Sequence, residues 1–363
     1  MQRIGLNLSL MDKTKSKIMK TLLLSCFLGF QAIACFAQDD ENKTPYLTKS
    51  LASDAISSVV VNTSAGGITV SGASGQQPRI EVYIRGNNNH ELSKEEIKKR
   101  LDEDYDLNIS VSGHELHAVA KNKHNFSNWR NQISISFKIY VPEHVATDLK
   151  TSGGGITLDH LKGNENFTTS GGGLQIDHLV GLVHGRTSGG GINVTNSSED
   201  LDLQTSGGGI TAENCSGKIR LNTSGGGLRL ENLKGDITAH TSGGGIEGNN
   251  IEGELIASTS GGGISFKRIN GSLDATTSAG SLYAQIEHVS KYLKLSSSAG
   301  NVDIELPAKQ GFDLNLRGDR VNQHQFSGFN GEWKDNYVRG TVNGGGASVD
   351  ASASSGSVNI RFN

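Results

Sequence analysis

The stretch Thr151-Ser152-Gly153-Gly154-Gly155-Ile156 opens the repeat that decides the fold of this chain. Its Thr-Ser-Gly-Gly-Gly core, followed by Ile or Leu, returns every 18 residues at Thr169, Thr187, Thr205, Thr223, Thr241 and Thr259. Looser copies begin at Thr277 and, far upstream, at Thr63. A short repeat of fixed length is the signature of a solenoid, in which each repeat forms one turn, or rung, stacked on the next.

The apolar residues of one rung indicate two short strands. With the Thr counted as position 0, apolar residues fall at positions 5 and 7, 10, and 14 and 16. In the rung from Thr223 they are Leu228, Leu230, Leu233, Ile237 and Ala239. Alternation at 5/7 and at 14/16 is typical of strands with one buried face, and position 10 suits an inward-pointing corner. The chain is therefore predicted to be an all-β, single-stranded parallel β-solenoid (β-helix) with 18-residue rungs.

The glycines are interpreted as turn residues. In the triplet, positive φ or tight backbone contact would exclude a Cβ, and Gly at position 12, as in Gly217 and Gly235, suits the turn into the second strand. A phosphate-binding Gly-rich loop needs a strand-to-helix context and usually a Lys-Ser/Thr partner, and the repeat has neither.

The beginning of the chain resembles a targeting segment. Lysines precede an apolar run over residues 21–34, and small residues then lead to a predicted cut after Ala37, so residues 1–37 are predicted to be a signal peptide. Lipid attachment at Cys26 or Cys35 is the alternative, and Met19 is an alternative start. No other apolar run is long enough to span a membrane. We therefore expect export to the periplasm, the outer surface or the extracellular space.

Composition and the remaining cysteine exclude some function classes. The chain has 363 residues and a net charge of −3, which offers no electrostatic basis for binding nucleic acid. Of its three cysteines, only Cys215 lies beyond the predicted cut. Because it occupies position 10, where other rungs carry Leu or Ile, it is predicted to be a small buried hydrophobe rather than a redox or metal residue.

Composition and periodicity divide the rest of the chain. The predicted segments are a flexible leader (38–55), a first rung (56–75), an insert and cap with a helix and a hairpin (76–150), the regular rungs (151–306) and a C-terminal cap with closing rungs (307–363). A capping box at Ser93 opens the predicted helix, and Gly113 centres the hairpin. Open solenoid ends expose strand edges, so the insert is expected to cover one end. Aromatic residues are expected to cover the other, namely Phe312, Phe326, Phe329 and Trp333.

The order of these elements resembles a known family. A strand ends in Val141-Pro142, the rungs follow, and Ser354-Ser355-Gly356-Ser357-Val358-Asn359-Ile360 closes the chain. Over residues 56–363 this pattern is similar to the bacterial adhesin-like domains built from Gly-rich β-strand repeats, and to the head GIN domains. The function of these domains is unknown. The resemblance implies a single-stranded β-solenoid at the cell envelope, and it supplies no catalytic residues that could be assigned to this sequence.

Two pairs at positions 8 and 9 are the strongest metal candidates. Asp159-His160 and Asp177-His178 would lie one rung apart and close enough to share an ion. The alternative is an exposed turn that simply needs polar residues, because the same positions carry unrelated polar pairs in other rungs. We therefore expect no metal and no cofactor.

Function is predicted from the outward side chains of the stack. Three pairs at positions 8 and 9 are expected to align as a binding face, and they are Glu213-Asn214, Glu231-Asn232 and Asn249-Asn250. A solenoid commonly uses such a face to hold partners, here a surface glycan or an envelope protein. We predict a non-enzymatic binding or structural module. The alternatives are a glycan-cleaving β-helix enzyme, a ligand-free scaffold or stress sensor, and a Thr-Ser ladder that itself forms the binding surface.

Overall fold

The computed structural model describes residues 44–86, 92–124, 132–323 and 328–363. It confirms an all-β parallel β-solenoid of about nine turns with one helix in the insert. Residues Pro45–Asn363 form one compact unit. The predicted signal peptide, with Cys26 and Cys35, lies outside the described residues. Within the described ranges, no helix has the length and apolarity needed to cross a membrane.

One helix and 25 strands make up the described chain. Up to the regular rungs they are β1 (Leu47–Ser50), β2 (Ser58–Thr63), β3 (Ile68–Ser71), β4 (Arg79–Gly86), α1 (Lys94–Asp104), β5 (Tyr105–Ser112), β6 (Glu115–Asn122), β7 (Ile133–Tyr140) and β8 (Ala146–Thr151). The regular rungs contain β9 (Ile156–Thr169), β10 (Leu174–Thr187), β11 (Ile192–Thr195), β12 (Ser198–Thr205), β13 (Ile210–Glu213), β14 (Ser216–Thr223), β15 (Leu228–Thr241), β16 (Ile246–Thr259), β17 (Ile264–Ala279), β18 (Leu282–Ala299) and β19 (Val302–Leu306). The C-terminal strands are β20 (Phe312–Arg317), β21 (Arg320–Gln323), β22 (Phe329–Lys334), β23 (Tyr337–Val342), β24 (Ala347–Ala353) and β25 (Ser357–Phe362).

The regular rungs stack in parallel with equivalent residues paired. Between β15 and β16, for example, Leu228 pairs with Ile246 and Thr241 with Thr259, an offset of one 18-residue repeat. The predicted inward residues of the rung from Thr223 are all buried, with at most 2 % of their surface exposed. Because burying one Leu or Ile side chain stabilises a fold by roughly 1.5–3 kcal/mol, stacking secures each rung against its two neighbours.

The insert extends the N-terminal end of the stack and then covers it. Strands β2 and β3 pair in parallel with β8 and β9. On their other side β6 and β7 add a further parallel layer. Strand β5 then pairs antiparallel with β6, and β4 pairs antiparallel with β7. The side chain of Ser93 caps α1 by accepting a hydrogen bond from the Glu96 amide, and Ile97 and Leu101 are the buried residues of the helix.

The predicted flexible leader is wrong for its second half. Within residues 38–55, β1 forms an antiparallel pair with β4, with Leu47 opposite Val82. Leu51, directly after β1, is 1 % exposed. The edge of β4 would otherwise leave backbone N–H and C=O groups unpaired, and β1 satisfies them.

At the C-terminal end, stack order departs from chain order. The last strands, β24 and β25, pair in parallel with β18 and β19. The earlier strands β20 and β21 lie outside them. An antiparallel pairing of β20 with β23 follows, and β22 pairs antiparallel with β23. Phe312 is buried, Phe329 and Trp333 meet edge to face at 5.5 Å, and Phe326 lies outside the described residues.

The Thr of each rung is an internal turn residue. The Thr169 hydroxyl donates to the Gly154 carbonyl of the preceding rung at 2.7 Å and accepts from the Gly172 amide at 3.3 Å. The same pair of bonds recurs in the following rungs up to Thr259. These threonines are at most 6 % exposed. Because these threonines are buried, they cannot form a binding surface. The alternative in which a Thr-Ser ladder binds the ligand is therefore wrong for its threonines.

The corner at position 12 requires a left-handed backbone, as its glycines indicate. Gly217, Gly235 and Gly253 have φ of 109°, 123° and 120°. Glu199 occupies the same corner with φ of 85°. Among the described rungs from Gly181 to Gly271, Glu199 is the one residue at this corner that is not glycine. Because a residue with a Cβ is strained in this backbone region, we infer that Glu199 is strained.

Replacing Glu199 with glycine is expected to stabilise the protein by about 1 kcal/mol, because it removes this backbone strain. The exposed glutamate Glu252 precedes the corner of its rung and provides a control. Glu252→Gly should instead lower stability by about 0.5–1 kcal/mol, since glycine weakens an ordinary strand position. Chemical unfolding of both variants checks the opposite signs. Equal destabilisation would show that Glu199 is unstrained.

Candidate functional site

The corner at position 9 also has a left-handed backbone in every regular rung. Its φ angles lie between 51° and 57° for seven residues in succession, namely His160, His178, Asn196, Asn214, Asn232, Asn250 and Arg268. Asn and His tolerate this region better than most residues do. The interpretation of positions 8 and 9 as a freely variable turn is therefore incomplete, because position 9 has a backbone requirement. In the sequence, the recurrence of Asn at this position in four consecutive rungs is the feature that indicates this backbone requirement.

The asparagines of this corner bond to one another. The side-chain amide of Asn250 donates to Asn232 at 2.8 Å, that of Asn232 donates to Asn214 at 3.0 Å, and that of Asn214 donates to Asn196 at 3.4 Å. We call this row the asparagine ladder. Asn214, Asn232 and Asn250, predicted as binding residues, thus have side chains that already bind each other.

Positions 6 and 8 place two neighbouring rows of side chains on the outside of the strand that follows the Gly triplet of each rung. We call them the polar face. The position-6 row runs in register through Gln175, Asn193, Thr211, Arg229, Glu247 and Ser265. The position-8 row runs through Asp159, Asp177, Thr195, Glu213, Glu231, Asn249 and Lys267. Three predicted binding residues, Glu213, Glu231 and Asn249, therefore lie side by side on this face.

At least three shallow depressions open on the polar face, and two of them contain predicted site residues at position 8. One, of about 440 Å³, is lined by polar residues that include Arg229, Glu231, Asn249 and Lys267. The side-chain oxygen of Asn249 is shielded from solvent and has no hydrogen-bond partner within the described part of the chain. The Arg229 guanidinium contacts Glu231 at 2.7 Å, and its hydrogen bond to that carboxylate raises the pKa of Arg229. The second depression, of about 550 Å³, lies where the insert meets the first rungs, beside Lys138 and Asp177.

The two predicted histidines are brought together. The rings of His160 and His178 stack with centroids 4.4 Å apart and planes 11° from parallel. Nδ1 of His160 lies 2.5 Å from Oδ1 of Asp159, and Nδ1 of His178 lies 2.9 Å from Oδ2 of Asp177. One ligand atom from each of Asp159, His160 and His178 falls within 4.8 Å of the others.

Asp177 is held by the neighbouring rung. Its Oδ1 accepts hydrogen bonds from Thr195 at 2.6 Å and from Asn196 at 2.8 Å. Partial burial alone would raise the pKa of Asp177, but these bonds and the contact with His178 outweigh it and lower the pKa. Asp177 therefore ends the asparagine ladder on this side, with both of its oxygens engaged.

A buried carboxyl group at Glu165 was missed by the sequence analysis. It stands at position 14, where the next rungs hold Val183 and Leu201, and its surface is 0 % exposed. Oε2 accepts a hydrogen bond from Thr147 at 2.6 Å, while Oε1 has no hydrogen-bond partner among the residues that the structure describes. Burial raises the pKa of Glu165 to about 7. A Glu at an aliphatic position of the template was the signal that could have identified it.

Cys215 lies where the template predicts it. Its side chain is 1 % exposed and packs among the inward residues at position 10. Burial raises the pKa of its thiol to about 11, so the thiol stays protonated at neutral pH. A protonated, enclosed thiol is a poor nucleophile, which agrees with a packing role.

Comparison with known proteins adds a family assignment. The family model described as Toastrack DUF4097 matches residues 56–361. None of the curated proteins compared with the chain matches it significantly.

Three solved structures align over most of the chain at low similarity. A "putative cell adhesion protein" from Clostridium sporogenes is 11 % identical, with 87 % of this chain and 98 % of that chain covered and a TM-score of 0.20. A "putative adhesin" from Bacteroides fragilis is also 11 % identical, with 87 % and 96 % covered and a TM-score of 0.23. A "putative lipid binding protein" from Parabacteroides distasonis is 13 % identical, with 71 % and 97 % covered and a TM-score of 0.32. These identities and TM-scores carry no functional argument.

Proposed function

The chain belongs to the Toastrack DUF4097 family, and on that premise we propose that it is a non-enzymatic, exported binding module. It acts at the cell envelope and holds a surface molecule along the polar face. The observation that carries this proposal is the register of the stack, which repeats polar side chains in two straight rows at one-rung intervals. Extended solenoid surfaces are commonly used for binding in this way.

A glycan is the ligand class that this face favours. Carboxylate, amide and guanidinium groups alternate along it, as Glu247, Asn249 and Arg229 do around the 440 Å³ depression. Such groups offer donors and acceptors that match the many hydroxyls of a sugar chain.

The structure also determines which residues a test should avoid. The asparagine ladder contributes three of the six predicted binding residues, and changing them would disturb the left-handed corner as well as the surface. The position-6 row is better suited to a test, since Thr211, Arg229 and Glu247 are in register and project outward.

We expect the triple variant Thr211→Ala, Arg229→Ala, Glu247→Ala to lose at least about tenfold in affinity for its surface ligand, because three adjacent rungs each lose a contact. A matched control changes Asn222, His240 and Ser258 to alanine. These three residues are equally in register, at position 17 of their rungs. Glycan-array and whole-cell binding assays on the wild-type protein and both variants measure the effect, with thermal unfolding to verify the fold.

Three results would contradict the proposal. They are a loss of binding by the control variant as large as that of the triple variant, a wild-type protein that binds no surface ligand, and turnover of a glycan by the protein. The last result, with loss of turnover on changing one carboxylate, would establish an enzyme, since catalysis depends on one or two acids rather than on a row. Binding only to an envelope protein would overturn the glycan assignment.

A further inference from the structure

We propose that Asp159, His160 and His178 form a binding site for one divalent transition-metal ion of the zinc class. Asp159 is the first residue of the position-8 row, whereas His160 and His178 lie in the corner of the first two regular rungs, away from the three residues that the binding test changes. Its ligand atoms already lie within 4.8 Å of one another. A tetrahedral ion with bonds of about 2.1 Å would draw them to roughly 3.4 Å apart.

The backbone brings the two imidazoles together before any ion binds. Both histidines occupy the left-handed corner, with φ of 53° and 52°, so their side chains leave successive rungs in the same direction. The parallel stack at 4.4 Å follows from this repetition, and the two rings turn about their side-chain bonds when one ion is bound in both ring planes. Because the rungs hold both residues in place, little backbone order has to be gained on binding, which favours affinity.

The chemistry of the ligands selects the class of ion. Imidazole nitrogens suit zinc, nickel and copper, whereas magnesium and calcium prefer oxygen ligands. Carboxylates beside the rings also orient them, because an ionised carboxylate accepts the ring N–H and leaves the other nitrogen with its lone pair. The Asp177 contact with Nδ1 of His178 at 2.9 Å serves this purpose.

The charges around the site also favour a cation. Glu143 approaches from the preceding rung, where Lys162 contacts it at 2.7 Å. Lys162 is therefore paired with Glu143, and the negative charges of Asp159 and Asp177 lie next to the two imidazole rings. The side chains of His160 and His178 are 42 % and 48 % exposed, so an ion and its remaining water ligands can reach them.

The neighbouring rungs supply a matched substitution. Asparagine occupies the same left-handed corner in the next four rungs, so His160→Asn and His178→Asn should preserve the fold. The double variant is therefore expected to remove the imidazole ligands without a loss of thermal stability. His184→Asn, at a half-buried histidine in the second half of strand β10, is the control for loss of a histidine alone.

Isothermal titration of the untagged, chelator-treated protein with zinc chloride tests the site. We expect one zinc ion per chain, no saturable binding by the double variant, affinity within about twofold of wild type for His184→Asn, and affinity at least about tenfold weaker for Asp159→Asn. Magnesium and calcium chloride should give no binding. Absence of saturable zinc binding by the wild-type protein, or its retention by the double variant, would overturn the proposal. Unchanged affinity in Asp159→Asn would remove Asp159 from the site.

Discussion

Replacing Gly226 with alanine is expected to destabilise the solenoid by about 3 kcal/mol or more, because the new Cβ would meet the backbone of the preceding rung. An ideal Cβ at this glycine would lie 2.2 Å from the Gly208 carbonyl oxygen and 2.4 Å from the Gly209 nitrogen. Both are backbone atoms, so no side chain can rotate away to make room. Relief would require separating two rungs that the threonine and backbone hydrogen bonds hold together.

Gly153 provides the matched control for Gly226. It is the first glycine of its triplet, and a Cβ there would have no neighbour within 4 Å. Gly153→Ala should therefore change stability by less than about 0.5 kcal/mol. Thermal and denaturant unfolding of the two variants measure the difference. If both variants unfold at the wild-type midpoint, close rung-to-rung approach is not the reason for the middle glycine.

Replacing Glu165 with leucine is expected to raise stability at pH 8 by about 3 kcal/mol and to flatten its dependence on pH. The pKa of Glu165 is about 7 in the folded chain, against an ordinary value of 4.5. Between these values the folded state binds more protons than the unfolded state, so stability falls as pH rises from about 4.5 to 7. Above pH 7 the ionised carboxylate stays buried and the loss persists. Leucine is also the residue of equivalent positions such as Leu201 and Leu255.

Glutamine substitutions separate charge from packing. Glu165→Gln keeps an acceptor for Thr147 but cannot ionise. We therefore expect the difference in its stability between pH 5 and pH 8 to be about 2.5 kcal/mol smaller than that of the wild type. Glu247→Gln, at an exposed glutamate, is the control and should leave the wild-type slope unchanged. Denaturant unfolding across this pH range measures both. A wild-type slope in Glu165→Gln would assign the pH dependence to other groups.

Tertiary structure changed the interpretation of several polar residues. Position 9 was predicted as an exposed turn, yet Asn232 and its equivalents hold a left-handed corner and bond to each other. Composition alone cannot reveal this, because an exposed polar side chain and a ladder side chain look alike in one sequence. The burial of Glu165 could not be predicted from composition either. Whether its second carboxylate oxygen finds a hydrogen-bond partner depends on which side chains pack around it in the interior.

The 18-residue period by itself determined the solenoid, the inward residues and the alignment of Glu213, Glu231 and Asn249, because each rung can bury its apolar row only against an identical neighbour. The same period indicated that His160 and His178 would be close. Only the tertiary structure decided how the ends are covered, with β24 and β25 placed between β18–β19 and β20–β21, and with β1 drawn from the predicted leader. Such pairings join segments that share no period, and they depend on which exposed strand edge remains to be satisfied once the rungs have stacked.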